Sequence, residues 1–125
     1  MSTAYREISE KDVERKAALW AKNHGMMAVK LHGDNQRGIP DRMFCYSGYV
    51  LFIEFKKPLT GELSHFQKAY QIKLKQHGFV VHNVDNYEQT LQILKKWKGD
   101  IDVARDTIRE FREAQEADKS PKGRK

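Results

Sequence analysis

The 125-residue sequence contains one cysteine, Cys45, and no uninterrupted apolar run approaching the roughly 20 residues that a membrane helix needs. A single thiol excludes an internal disulfide and a cysteine-rich zinc site. The opening MSTAYREISEKD has no apolar stretch of the signal-peptide kind, so the expectation is a soluble protein of a reducing compartment, cytoplasmic and without membrane contact. Prolines number three and glycines eight, and apolar residues make up 39%, so collagen-like, mucin-like and fully disordered classes are excluded. The five histidines, at 24, 32, 65, 77 and 82, lack the tight spacing of a zinc helix. No Ser, His and Asp order suggests a nucleophilic triad, which disfavours a metal-independent hydrolase.

What the sequence has is positive charge. Lys and Arg total 23 against 17 Asp and Glu, a net +6 that suits a polyanionic partner. Residues 1–97 hold 15 basic and 10 acidic side chains, residues 98–125 hold 8 and 7, so the excess lies on the part with globular patterning.

That patterning alternates helices and strands. Glu10 to His24 carries an apolar helical face after Ser9 as N-cap and before Gly25 as stop. Residues 26–31 read as a short strand, His32 to Gly38 as a polar loop, and Pro40 to Tyr46 as a second strand. Ser47-Gly48 turns the chain into Tyr49–Lys56, whose nearly unbroken apolar run predicts a central strand buried on both faces. Pro58 stops that strand, and Thr60-Gly61 turns the chain. Ser64 caps a helix through His77, residues 79–84 form a fourth strand, and Tyr87 to Trp97 a third helix. The order is αβββαβα, an α/β class with a mixed central sheet, the last two strands being parallel through a right-handed crossover. From Gly99 onward a further helix is expected, with a narrow stripe of Ile101, Ala104, Ile108 and Phe111, and then a disordered basic tail.

Three segments carry chemistry together. In Glu54-Phe55-Lys56 the period-two pleat puts Glu54 and Lys56 on one sheet face. Asp41, on a neighbouring strand, can set a second carboxylate beside Glu54, a pair that suits Mg²⁺ or Mn²⁺, with the Phe55 backbone carbonyl completing the protein's share of the coordination. Lys56 is placed to orient or deprotonate water or to stabilise a pentavalent phosphate. Glu14, if it points inward, can hold a second ion directly or through water. It reads as well as ordinary helix decoration beside Lys11 and Arg15, and Glu10 one turn earlier is a rival. Asp41 alone would read as a turn residue, and Glu54 with Lys56 as an exposed charge pair. The apolar run before them favours a buried site.

Gly38-Ile39-Pro40-Asp41 followed by Phe52-Ile53-Glu54-Phe55-Lys56 resembles the PD-(D/E)xK nuclease superfamily, and the fuller pattern is similar to its VRR-NUC branch. Supporting matches are Glu14-Arg15 with Gly25 after it, Lys57-Pro58, and Leu63-Ser64-His65-Phe66-Gln67; the resemblance covers roughly residues 7–97. It implies a restriction-endonuclease-like core as a nuclease domain over residues 1–97, with a helix and tail over 98–125. It further implies Asp41 and Glu54 as metal ligands, Lys56 as catalytic lysine, Glu14 as auxiliary acid and Gln67 as an active-site residue. The expected activity is Mg²⁺- or Mn²⁺-dependent hydrolysis of DNA, with Arg37, Arg42, Lys57, Lys30 and Lys68 as phosphate contacts. Standalone VRR-NUC domains resemble Holliday-junction resolvases, which implies a homodimer acting on branched DNA. The rival readings are a non-catalytic nucleic-acid-binding module and a nuclease for linear or flapped DNA.

Overall fold

A computed structural model of the chain describes residues 9–34, 36–57 and 61–119. Pro58, Thr60 and the basic tail from residue 120 fall outside them. The first helix, α1, is Glu10–Asn23, begun by Ser9, whose side chain accepts the Asp12 N–H, and ended at Gly25 with φ +81°. Its inner face is Val13, Glu14, Ala17, Ala18 and Ala21. Small residues there let the helix lie close to the sheet, and the one carboxylate among them must find partners.

The sheet runs β1 (Met27–Lys30), β2 (Arg42–Tyr46), β3 (Tyr49–Phe55) and β4 (Val80–Val84), in that spatial order. β1 with β2 and β2 with β3 are antiparallel, and β3 with β4 is parallel. Between β2 and β3, Ser47 and Gly48 both have positive φ, 50° and 86°, the backbone of a two-residue hairpin turn that matches strand twist. β2 begins two residues later than expected. Pro40 has no N–H to give a ladder, and the Asp41 carbonyl makes one last bond, accepting the Leu31 N–H at 2.9 Å. Phe44, Leu51, Ile53 and Phe55 are fully enclosed, each contributing on the order of 1.5–3 kcal/mol by burial.

The crossover helix α2 is His65–Gln76, with Ser64 and Gln67 forming a capping box. The third helix departs from expectation: α3 is a single element, Tyr87–Asp118, with Gly99 inside it. One glycine costs a helix interior only about 1 kcal/mol. The ion pairs Lys96–Asp100 and Lys98–Asp102 span it, each one turn long. The chain divides into two compact units, residues 1–93 and 94–125. In the second, Ile101 is buried and Ala104 half-buried, while Ile108 and Phe111 are exposed. Among the described residues, no helix is long and apolar enough to cross a membrane.

Candidate active site

Glu54 is the next-to-last residue of β3 and is buried, only 5% exposed, in a strand whose neighbours are all apolar. Asp41 lies just before β2. Its Oδ2 accepts the Phe55 N–H at 2.8 Å, which fixes the carboxylate across the end of β3. Both groups are pushed toward the protonated form. Burial raises the Glu54 carboxyl to about 8, helped by the negative charge of the Asp41 carboxyl beside it. Burial likewise raises Asp41; the Phe55 N–H counters it, and the Glu14 charge adds to the rise. Glu10 adds its negative charge at both carboxyls, so it faces the same region.

The two oxygens of Glu54 differ. Oε2 accepts from Gln67 Nε2 at 2.7 Å, whereas Oε1 is buried and accepts no hydrogen bond from the described residues. Gln67 holds Glu54 with one end of its amide and, with Oε1, accepts the Ser64 N–H at 2.8 Å. The cap that starts α2 is therefore also the clamp on Glu54. Farther along the helix, Gln71 and Asn83 exchange two hydrogen bonds, 2.6 and 3.0 Å, seating α2 on β4 at the residue that pairs with Glu54.

Glu14 points inward, as expected of an auxiliary acid, but its Oε2 accepts from both Lys30 Nζ (2.9 Å) and Arg42 Nε (2.8 Å). Arg42 also donates to the Ala28 carbonyl and is nearly enclosed. Of the cations expected to meet phosphate, Arg42 is thus spent inside the fold, and Lys30 is half-exposed beside it. Sequence reasoning missed this cluster. Its partners face one another only through the β1–β2 register that sets Lys30 opposite Arg42. Lys57, Lys68 and Arg37 are exposed, as phosphate contacts need to be.

Lys56 follows β3 and donates its backbone N–H to the Val84 carbonyl. It lines a small recess with Asn83, Asp85 and Gln89. Asp41 and Gln67 line a different and larger cleft of about 400 Å³, walled by Gly33, residues 36–39 and the first turn of α2. The loop sits hard against that turn: a Cβ on Gly38, whose φ is +86°, would fall 2.2 Å from the Phe66 carbonyl oxygen. His32 and His65 are exposed, and Cys45 is half-buried within β2. Trp20 is half-buried with its ring stacked on His24 at 4.0 Å.

Among the described residues, no group of three or more His, Cys, Asp or Glu side chains is placed to hold a metal ion. Two carboxylates are nevertheless enough for Mg²⁺, which keeps several waters and borrows ligands from a bound phosphate. The orphaned Glu54 Oε1, with Asp41 beside it, is the donor arrangement that such an ion satisfies. The residues present fit the group.

No family model matches the sequence, and no curated protein matches it. Among solved structures, a chain described as a VRR_NUC domain aligns with TM-score 0.63 and 22% identity, over 69% of this chain and 94% of that one. At this identity the likeness speaks for architecture, and it agrees with the mixed four-stranded sheet and the flanking helices. The chain has the fold of a VRR_NUC domain.

Proposed function

We propose that this protein is a divalent-metal-dependent DNA endonuclease, using Mg²⁺ or Mn²⁺ to hydrolyse phosphodiesters without a covalent intermediate. The observation that carries the reading is the pair of a half-buried Asp41 and a buried Glu54 at the end of β3, with Glu54 Oε1 unmet by any donor among the described residues. Natural cores avoid such a pair unless something that binds there needs it.

Asp41, Glu54 and the Phe55 carbonyl would hold the ion. Bound there, it would supply Lewis acidity toward the phosphate and a lower pKa for water. The protein's own residues do the rest. The Phe55 N–H and the Gln67 amide fix one oxygen each of Asp41 and Glu54, leaving the others directed to the ligand. Lys56, two residues beyond Glu54, provides a cation to orient the attacking water and offset charge on the pentavalent phosphate. Glu14 acts by holding Lys30 and Arg42 rather than as a free acid. Arg37, Lys57 and Lys68 engage flanking phosphates, so binding weakens steeply with salt.

The resemblance of the sequence to standalone VRR-NUC domains supports branched DNA as substrate and a homodimer as the working form, with Ile108 and Phe111 as exposed apolar contact residues on α3. Cleavage of linear, single-stranded, flapped and four-way-junction DNA in Mg²⁺, Mn²⁺ or EDTA tests the activity, and light scattering tests the assembly. Cleavage that survives EDTA or Glu54→Gln overturns the mechanism. Metal-independent binding with no cutting favours the non-catalytic module.

A further inference from the structure

Phe66 is an aromatic residue that the nuclease reading leaves without a role. It occupies the first turn of α2, 47% exposed, immediately before the Gln67 that holds Glu54. The Arg37 guanidinium lies over its ring, 4.9 Å from the centroid, and His65 meets it edge-on at 6.1 Å. The backbone beneath is fixed, because Gly38 packs directly on the Phe66 carbonyl and the Gln67 amide nitrogen. Arg37, Gly38, Phe66 and Gln67 line the same cleft as Asp41.

A planar cation laid on an aromatic ring is a preformed stack, and a nucleobase is the ligand whose flat π face extends one. A phosphodiester brought to Asp41 carries a base on either side of it. A base inside a duplex already has both faces covered, so only an unpaired one can add to the stack. We infer that Phe66 and Arg37 form a stacking platform for an unpaired base beside the scissile phosphate, which makes the preferred substrate a strand unpaired at the cut, as at a flap or an open branch point. The inference rests on the nuclease reading and narrows its substrate class. Arg37 then serves twice, closing one side of the stack and offsetting phosphate charge. Fastening the loop to α2 is the competing role for the same pair, and it would act alike on every DNA.

The test uses the full chain with Ca²⁺ in place of Mg²⁺, and flapped DNA carrying 2-aminopurine at successive positions around the branch point. The same position is made abasic in one control and fully paired in another. Fluorescence should be quenched at one unpaired position, and the abasic flap should bind roughly ten- to a hundredfold more weakly than the base-bearing one. Phe66→Leu should erase both effects, and Phe66→Trp, which keeps a ring, should restore them. Equal affinity for abasic and base-bearing flaps, in a protein that binds and cuts flaps, overturns the platform and leaves the nuclease standing. Failure to bind or cut any DNA overturns both.

Discussion

Glu54 has an ionisation problem that makes stability depend on pH in a defined direction. In the unfolded chain its carboxyl has the ordinary pKa of 4.5, and burial in the folded chain pushes it up to about 8. Between those values the folded state holds a proton that the unfolded state has released, so stability falls as pH rises through this window and levels off above it. Without divalent ions, the melting temperature should therefore be lower at pH 9 than at pH 7, and Glu54→Gln should flatten the decline. His82 opposes this trend in the lower part of the window. Burial and the Lys75 charge lower its pKa from 6.5, so stability falls as pH drops below that value, and the comparison of pH 7 with pH 9 lies above it. On the proposed mechanism the three serve one reaction, so cleavage should drop on the order of 100-fold or more in Asp41→Asn, Glu54→Gln and Lys56→Ala alike, and the double substitutions should add little. The Glu14 cluster predicts a ranking in urea denaturation. Arg42→Met leaves a buried carboxylate with only its half-exposed partner Lys30 and should cost about 3 kcal/mol, whereas Lys30→Met keeps the enclosed partner and should cost about 1 kcal/mol or less.

Elements were legible where their signals are local. Ser9 and Ser64 start helices because a hydroxyl three residues before an amide caps it whatever lies elsewhere in the chain, and Ser47-Gly48 turns a hairpin for the same reason. Asp41 and Glu54 came together because pleat and strand order place them, which the apolar run of β3 already implied. The pairing of Arg42 and Lys30 with Glu14 is not legible in the sequence, since which face of β2 meets α1 depends on packing between distant segments. Gly99 suggests a break because its cost is visible, whereas the ion pairs that span it form only once the helix exists. Glycine therefore supplies a prediction at this scale. Gly38→Ala combines a positive φ with a clash against the α2 backbone, whereas Gly48→Ala meets no atom within 4 Å and should suffer only the left-handed penalty of about 1–2 kcal/mol. Gly38→Ala should be the more destabilising in thermal unfolding and should also impair cleavage. Gly99→Ala, in open space inside α3, should stabilise by about 0.5–1 kcal/mol.

For the molecule as a whole, the charge pattern sets how ligands couple to folding. Millimolar Mn²⁺ or Mg²⁺ should raise the melting temperature, more at pH 8.5 than at 6.5, because the ion must displace the proton that the carboxyl pair retains at lower pH. Asp41→Asn should blunt the shift, and scanning calorimetry with and without metal reads it. The amides of Gln71 and Asn83 have a consequence for how the chain finds this state. β4 joins the sheet in parallel after a helical excursion, and no tight turn dictates its alignment with β3. A slip by one residue would put Val84 or His82 where Asn83 stands and leave the nearly enclosed Gln71 amide without its match, a loss of roughly 1–3 kcal/mol for each stranded group. The reciprocal pair works as a proofreading contact during folding: misaligned pairings of the fourth strand are penalised before they can mature into a molecule whose acidic pair lacks its clamp.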